Sequence, residues 1–382
     1  MSPYEIYRQG IFVGRVWRED VGGPSLVTLR NGQVVDVTSP AVPTMRDLME
    51  QQDPVSFLAD HSGETLGAVE DLLEGRFQGI RLLAPVDLQA VKACGVTFAR
   101  SMLERVIEEK AAGNPDLAAK VRTRIGALIG DSLRDLKAGS PEAERVKAAL
   151  IEEGVWSQYL EVGIGPDAEV FTKAPVLASV GHGADVGIHP ISRWNNPEPE
   201  IVLAVDSRGA IKGATLGNDV NLRDVEGRSA LLLGKAKDNN ASCAIGPFIR
   251  LFDESFSLDD VRQAELELTV EGEDGFVMKG ASRMSEISRD PTDLVAQTIG
   301  AHHQYPDGLV LFLGTLFAPV EDRDAPGQGF THHVGDRVTI ASEKLGALTN
   351  RVRLTTECAP WSFGIADLMR NLASRGLLKV GA

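Results

Sequence analysis

From about residue 160 onward, short runs of apolar and β-branched residues alternate with turns rich in Gly, Pro, Asn and Asp. Such runs predict strands, and the clearest are EIVLAVD (200–206), AELELTVEG (264–272), GLVLFLGT (308–315) and DRVTIAS (336–342). Helical segments do not alternate regularly with these runs, so a doubly wound parallel sheet is not expected. The pattern predicts an α+β fold with a β-rich core.

The first 80 residues carry a smaller version of this pattern. Three β-type runs between residue 7 and about residue 38 precede a short helical stretch at about 44–60. We therefore expect a small N-terminal α+β domain over residues 1–80 and a larger catalytic domain over residues 81–382. The segment RLLAPVDL (81–88) is predicted to connect them in an extended conformation, because Pro85 disfavours helix in the residue before it.

A charged segment rich in Ala and Leu predicts a helical insertion in the catalytic domain between about residues 101 and 155, with breaks at GNPD (113–116) and GSPE (139–142). Ser140 followed by Pro141 is typical of a helix start. Two interpretations stay open. The helices form a lid over a site, or they are an exposed decoration of the domain.

The composition excludes several classes of partner. A formal net charge of −15 would repel a phosphate backbone, so nucleic acid is not expected as a partner. Apolar runs such as LVLFLG (309–314) are much shorter than the roughly 20 residues of a membrane-spanning helix, and the first ten residues contain no hydrophobic targeting region. The three cysteines form no CxxC pair, which argues against disulfides or structural zinc. We expect a cytoplasmic protein without a membrane partner.

An acidic hairpin is the most informative local feature. In WNNPEPEIVLAVDSRGAIKGATLGND (194–219), Glu198 and Glu200 are two residues apart at the start of a strand, so their carboxylates lie on one face. If DSRG (206–209) forms the turn, Asp219 returns roughly diagonal to Glu198 on the next strand. A divalent cation would relieve the repulsion, and an all-oxygen ligand set suits Mg²⁺ or Mn²⁺. A solvated acidic hairpin explains the same spacing.

Five sequence elements occur in a fixed order between roughly residues 90 and 355. They are the Glu198 and Glu200 pair, GND at 217–219 followed by Arg223 and Asp224, KDNNASCAIGPF at 237–248, PDGLVLFLGTLFAP at 306–319, and HHVGDRVTI with KLGALTNRV within 332–352. Together they resemble the fumarylacetoacetate hydrolase family. The resemblance implies a β-rich fumarylacetoacetate-hydrolase-like catalytic core, with Mg²⁺ or Mn²⁺ held by Glu198, Glu200 and Asp219. It also implies Lys237 and Thr315 as active-site residues.

The chain departs from the hydrolases of that family near residue 100. The hydrolases carry GxNYxxHxxE, whose His and Glu activate water, whereas this chain has GVTFARSMLE (95–104). Ser101 stands at the histidine position and Glu104 at the glutamate position, and both are expected at the active site. A serine cannot act as a general base near neutral pH, so hydrolysis of a carbon–carbon bond is not expected. The stretch from Ser101 to FTK (171–173) is also longer than in a hydrolase.

These departures, with PDAEVFTKAP (166–175), resemble the branch of the family that dehydrates 2-keto-3-deoxy sugar acids. That branch implies a small 2-keto acid substrate, 2-keto-3-deoxy-D-pentonate (xylonate or arabonate), which is dehydrated to 2,5-dioxopentanoate through a metal-stabilised enolate. It implies Glu169 as an extra acidic group, which we expect to protonate the departing hydroxyl. Lys237 is expected to bind the substrate, or to carry a proton if burial lowers its pKa, and Thr315 to orient the substrate.

Two other functions remain open. A fumarylpyruvate- or acylpyruvate-type hydrolase would use the same metal with another residue in place of the missing histidine. A catalytically silent family member would bind a metal or ligand as a structural or regulatory module, although the intact Glu198, Glu200, Asp219 and Lys237 argue against it. In each case we expect a homodimer or a larger homo-oligomer.

Several other patterns carry no function. GHGADVG (181–187) has a misplaced third glycine for a dinucleotide loop, and the GK at 234–235 lacks the Walker spacing, so no nucleotide cofactor is expected. Adjacent residues of an extended chain point to opposite faces, so the pairs His302–His303 and His332–His333 are predicted to be structural or on the surface. Cys243 is predicted to be a packing residue, because no histidine is evident nearby to lower its pKa.

Overall fold

The computed structural model describes residues 4–98, 102, 120, 123, 136–152, 154, 156–317, 319, 321–325 and 329–378. The strands within these residues are β1 (Phe12–Arg18), β2 (Gly23–Arg30), β3 (Gln33–Asp36), β4 (Glu64–Ala68), β5 (Ile80–Leu83), β6 (Ala90–Gly95), β7 (Glu169–Ala174), β8 (Asp185–Ile188), β9 (Pro199–Val205), β10 (Ile211–Asp219), β11 (Cys243–Leu251), β12 (Glu265–Glu271), β13 (Val277–Arg283), β14 (Leu309–Phe312), β15 (Arg337–Ser342) and β16 (Gly346–Leu354). The four runs singled out in the sequence correspond to β9, β12, β14 and β15.

Short helices connect many of these strands. The α-helices of the described residues are α1 (Met45–Met49), α2 (Pro54–Asp60), α3 (Val69–Leu73), α4 (Pro141–Glu152), α5 (Gln158–Ile164), α6 (Arg223–Glu226), α7 (Leu233–Lys237), α8 (Leu258–Arg262), α9 (Pro291–Thr298) and α10 (Ile365–Ser374). None of them has the length and apolar composition that a membrane crossing requires.

The strands form two sheets. Eleven strands make the larger one, in which ten pair in the order β4-β3-β2-β1-β11-β10-β9-β14-β6-β7 and β5 pairs with β1. The smaller sheet has five strands in the order β13-β12-β15-β16-β8. Most pairs are antiparallel, and β6–β14 and β8–β16 are parallel. The predicted β-rich α+β core is confirmed.

The main hydrophobic core contains residues from both sheets. Ile201 and Leu203 of β9 belong to it together with Leu268 and Ile340 of the smaller sheet. The intervening Val202 belongs to a second core, which it shares with residues of α1 and α2. Strand β9 is therefore buried on both faces, which explains why its sequence is continuously apolar after Glu200.

The N-terminal strands continue the larger sheet. Strand β1 pairs with β11, with Val13 opposite Ile249, and β5 pairs with β1, with Leu83 opposite Arg15. The extended conformation predicted for 81–88 is confirmed at its start, where the backbone belongs to β5 and forms hydrogen bonds within the sheet. The division into domains at residue 80 stays a prediction.

Helix α4 begins where the sequence predicts. Pro141 is its first residue, and the hydroxyl of Ser140 accepts a hydrogen bond of 3.1 Å from the N–H of Ala143. Leu150 of this helix packs with Met102 and with Leu160 of α5. Most of the predicted helical insertion lies outside the described residues, so the choice between a lid and a decoration stays open.

Candidate metal centre and active site

The site is built on the β9–β10 hairpin. The carboxylate of Asp206 closes the turn by accepting hydrogen bonds of 2.9 Å from the N–H groups of Arg208 and Ala210. The pairing then shifts by one residue between Ile211 and Gly213, so that Glu200 lies opposite Gly217. Without this shift, Asn218 would face Glu198 and Asp219 would point to the other side of the sheet. An irregular residue in the strand thus decides which carboxylates meet.

The shift places Asp219 directly opposite Glu198, whose carbonyl accepts a 3.1 Å hydrogen bond from the N–H of Asp219. The expected diagonal arrangement is therefore wrong in detail. Carboxylate oxygens of Glu198, Glu200 and Asp219 all lie within 4.8 Å of one another, and all three residues are buried. Three convergent carboxylates in a buried site are an oxygen ligand set suited to a hard divalent cation such as Mg²⁺.

The electrostatics of Glu200 point the same way. Burial raises the pKa of Glu200 well above its ordinary value, and the neighbouring Asp219 and Glu198 raise it further. One oxygen of Glu200 also accepts a 2.7 Å hydrogen bond from the N–H of Gly314, just after β14. The carboxylate is thus held in place although its charge is unfavourable there, which is the condition that a bound cation relieves.

Lys237 is the last residue of α7, and its ammonium group lies against the carboxylates. Its Nζ is 2.5 Å from Oε2 of Glu198 and 3.0 Å from Oδ2 of Asp219. Burial lowers the pKa of Lys237, but the charges of Asp219 and Glu198 outweigh burial and raise the pKa above its ordinary value. The condition under which Lys237 was expected to carry a proton, a pKa lowered by burial, is not met by this arrangement of charges, and its role stays a prediction.

A second lysine was missed as a site residue. Lys173 of β7 is completely buried, and its Nζ lies 2.6 Å from Oδ1 of Asp219. It also donates hydrogen bonds to the carbonyl oxygens of Val220, at 3.2 Å, and of Lys237. Strand periodicity could have identified Lys173 as a site residue. It follows Glu169 at a spacing of four in a strand and therefore lies on the same face.

Glu169 and Thr315 both line a cavity of about 60 Å³ together with the three carboxylates and Lys237. Glu169 lies opposite Gly95 of β6, where a Cβ atom would be 2.1 Å from the Glu169 carboxylate. Glycine is therefore needed at this position for Glu169 to keep its place. The Thr315 hydroxyl accepts a 3.1 Å hydrogen bond from the N–H of Phe317.

The structure thus brings together six of the eight residues predicted for the site, and Ser101 and Glu104 lie outside the described residues. Further wall residues were not assigned from the sequence. Among them are Phe171, Asn196 and Arg223. The Arg223 guanidinium stacks on the ring of Trp194 at 4.4 Å, so the Arg-Asp element holds one wall of the cavity. The catalytic roles stay predictions.

The histidine pairs and Cys243, to which the sequence assigns no function, do not line this cavity. His332 is buried and pairs with Asp336 at 3.0 Å, whereas His302 and His303 are exposed. Burial raises the pKa of the Cys243 thiol to about 12, so it packs as an uncharged side chain. Within the part of the chain that the structure describes, the triad is the one group of acidic, histidine or cysteine residues with the spacing of a metal site.

Comparison with known proteins gives the family. The fumarylacetoacetate (FAA) hydrolase C-terminal family model matches residues 165–353. A "Probable 2-keto-3-deoxyxylonate dehydratase" of Haloferax volcanii is 31% identical over 248 residues, which cover 62% of this chain and 81% of that protein. A 2-dehydro-3-deoxy-D-arabinonate dehydratase of Saccharolobus solfataricus is 30% identical over 188 residues, which cover 48% of this chain and 58% of the relative.

The solved structures agree on the fold. A 2-keto-3-deoxy-D-arabinonate dehydratase complexed with magnesium and 2,5-dioxopentanoate matches with a TM-score of 0.63 at 22% identity, covering 91% of this chain and 99% of the other. The apo form of a protein with that name matches with a TM-score of 0.64. The motif order, the β-rich fold and the aligned relatives agree, and the chain belongs to the fumarylacetoacetate hydrolase family.

Proposed function

We propose that the protein is a hydro-lyase that removes water from 2-keto-3-deoxy-D-pentonate to give 2,5-dioxopentanoate. The observation that carries the proposal is the cavity in which Glu169 faces the buried triad and Lys237. The names of the two curated relatives, both dehydratases of 2-keto-3-deoxy sugar acids, support the same class of substrate.

The charges around the triad favour a divalent cation. Three carboxylates and two ammonium groups leave one net negative charge when all are ionised. A divalent cation at Glu198, Glu200 and Asp219 would offset this excess of negative charge. When bound, such a cation supplies Lewis acidity that polarises the 2-keto group and acidifies the hydrogens on C3.

Residues of the protein would then carry out the proton transfers. In the dehydration, C3 loses a proton, the bond from C4 to its hydroxyl oxygen breaks, and the departing hydroxyl gains a proton. Two further proton shifts then convert the C5 alcohol to an aldehyde, because C5 and its hydroxyl each lose a proton while C3 and C4 each gain one. Glu169 would protonate the departing hydroxyl, because hydroxide is a poor leaving group. Glu169 can also take the proton from C3 and pass it to the departing hydroxyl, which leaves the charge of the site unchanged.

Lys237 and Thr315 would hold the substrate. The Lys237 ammonium group faces the triad and can donate hydrogen bonds to a carboxylate or keto oxygen. Thr315 is placed at the cavity wall by its hydrogen bond with Phe317, and it offers a hydroxyl to orient the substrate. We infer a small-molecule substrate, and the homo-oligomer stays a prediction.

The test is a product assay with three substrates. The purified protein and Mg²⁺ are incubated with 2-keto-3-deoxy-D-pentonate, with its L-enantiomer and with an acylpyruvate, and products are coupled to a semialdehyde dehydrogenase. We expect semialdehyde from the D-pentonate and no pyruvate from the acylpyruvate. Pyruvate from the acylpyruvate, without semialdehyde from either pentonate, would establish the hydrolase instead. The Glu200→Gln protein is the control for contaminating activity.

A further inference from the structure

Asn196 continues the row of site residues one step beyond the metal ligands. Its backbone pairs with that of Asn221 through hydrogen bonds of 3.1 and 3.0 Å, in the same register that sets Asp219 opposite Glu198. Because side chains alternate in extended chain, Asn196, Glu198 and Glu200 lie on one face. Asn196 accordingly lines the same cavity as the carboxylates.

The side-chain oxygen of Asn196 has no protein partner among the described residues. Its Nδ2 donates a 3.0 Å hydrogen bond to the carbonyl of Pro197, which fixes the orientation of the amide. The remaining atom, Oδ1, is buried and accepts no hydrogen bond there, and the residue as a whole is 4% exposed. A buried acceptor without a donor is costly, so this atom is available for a donor that enters the cavity.

The neighbouring Asn221 shows what a structural amide does in this site. Its Nδ2 donates to Oε1 of Glu198 at 3.2 Å and to Oε2 of Glu226 at 2.7 Å, so it holds a metal ligand. The amide of Asn196 makes no such contact with the triad. The Oδ1 atom of Asn221 also accepts no hydrogen bond from the described residues, but Asn221 is not among the residues that line the cavity, whereas Asn196 is. The position of Asn196 therefore suits contact with a ligand and not support of the carboxylates.

The distance between Asn196 and the triad indicates which part of the substrate Asn196 would meet. Two residues of strand separate Asn196 from Glu198, or about 6.6 Å along the backbone. In an extended 2-keto-pentonate, the C5 oxygen lies about 5 Å from C2, given carbon–carbon bonds of about 1.5 Å. A substrate anchored at the triad by its C1 and C2 oxygens is therefore long enough for its terminal hydroxyl to reach Asn196.

We propose that Asn196 determines specificity by accepting, through Oδ1, a hydrogen bond from the terminal hydroxyl of the substrate. This inference rests on the proposed function, because that function defines which end of the substrate is held at the triad. It gives this part of the cavity wall a preference for 2-keto acids that carry a terminal hydroxyl over those that do not.

The test uses two ligands that lack the C4 hydroxyl and so cannot be dehydrated, 5-hydroxy-2-oxopentanoate and 2-oxopentanoate. Their affinities for the Mg²⁺-loaded wild-type and Asn196→Val proteins are measured by calorimetry. The substitution should weaken binding of 5-hydroxy-2-oxopentanoate about tenfold and change the affinity for 2-oxopentanoate less than about twofold. Comparing proteins with the same ligand cancels the ring–chain equilibrium of the hydroxylated compound.

Asn195→Val is the matched control, because Asn195 is an equally buried amide that points away from Glu198 and bonds to His332 and Ser192. It should leave the ratio of the two affinities unchanged. If Asn196→Val weakens both ligands equally, or neither, the assignment of Asn196 is overturned while the proposed function stands. If the wild-type protein binds neither ligand with Mg²⁺ present, the proposed function fails, and the assignment of Asn196 fails with it.

Discussion

Lys173 and Asp219 form a buried ion pair in which Nζ of the lysine lies 2.6 Å from Oδ1 of the aspartate. The two residues are 46 positions apart in the chain and on different strands, since Lys173 belongs to β7 and Asp219 ends β10. Lys237 approaches the other oxygen of the same carboxylate at 3.0 Å. Asp219 is therefore shared between two ammonium groups and the candidate metal position. Substituting either lysine changes the positive charge that surrounds the Asp219 carboxylate.

Replacing Lys173 with Met removes one positive charge and leaves Asp219 short of a partner. Breaking a buried pair in this way should lower the free energy of unfolding of the metal-free protein by about 3 kcal/mol. Saturating Mg²⁺ should stabilise the Lys173→Met protein more than the wild type, because the cation supplies the missing charge. Urea denaturation of both proteins, with and without Mg²⁺, measures the two effects.

Lys212→Met is the control for that experiment. Lys212 is also nearly buried and pairs with Asp206 at 3.4 Å, but at the opposite end of β10. Its substitution should destabilise the protein by the same amount with and without Mg²⁺. A Lys173→Met protein that gains no more from Mg²⁺ than Lys212→Met would contradict the shared-charge account.

Replacing Glu200 with Gln keeps the shape of the side chain and removes a charged ligand. The affinity for Mn²⁺, followed by electron paramagnetic resonance, should fall at least about tenfold, since loss of even a supporting group around a metal costs that much. In the metal-free protein the same substitution should increase stability, because Glu200 is buried among like charges. Unchanged Mn²⁺ affinity would remove Glu200 from the metal site.

The raised pKa of Glu200 also predicts a pH dependence. A carboxyl whose pKa is higher in the folded than in the unfolded state stabilises the fold below its ordinary pKa, and this stability is lost as the pH rises through the raised value. The metal-free protein should therefore lose stability as the pH rises above the ordinary glutamate pKa of about 4.3. Mg²⁺ affinity should increase over the same range as the competing proton leaves. Parallel pH titrations of Glu200→Gln should be flatter in both respects. Identical slopes in the two proteins would argue that Glu200 does not titrate there.

Glu169→Gln tests the proton-transfer step. The substitution keeps the size of the side chain, so kcat for the pentonate should fall by about 10²–10⁴-fold while KM changes little. Mn²⁺ affinity should stay within about twofold, since Glu169 is not one of the triad. Gly95→Ala should lower kcat without removing the carboxylate, because its Cβ would displace the end of Glu169. A KM effect alone would make Glu169 a binding group.

How far the sequence predicts this site depends on how local each relationship is. Alternation along one strand correctly puts Glu198 and Glu200 on one face, and the DSRG turn correctly returns Asp219 to them. The one-residue shift near Lys212 is not visible in the sequence, so the pairing of Asp219 with Glu198 was expected to be diagonal. Strand periodicity predicts the fold class well, but it does not predict an irregular residue.

Lys173 and Asn196 were missed for a different reason. Both were within recognised motifs, but their roles depend on contacts made across the fold. Lys173 meets a carboxylate on another strand, and Asn196 is defined by an acceptor that no described residue satisfies. The pKa of Lys237 depends likewise on the balance between burial and two carboxylates, which sequence alone cannot weigh.

The most direct test of the central claim is a proton NMR experiment in D₂O with the Mg²⁺-loaded protein and 2-keto-3-deoxy-D-pentonate. Elimination followed by the two proton shifts predicts an aldehyde signal from 2,5-dioxopentanoate, with one solvent deuterium at C3 and one at C4. The signal should be absent with Glu200→Gln, which lacks a metal ligand. Release of pyruvate and glycolaldehyde would instead show cleavage between C3 and C4, and an unchanged pentonate would show no activity on this substrate. Either result would contradict the assignment as a hydro-lyase.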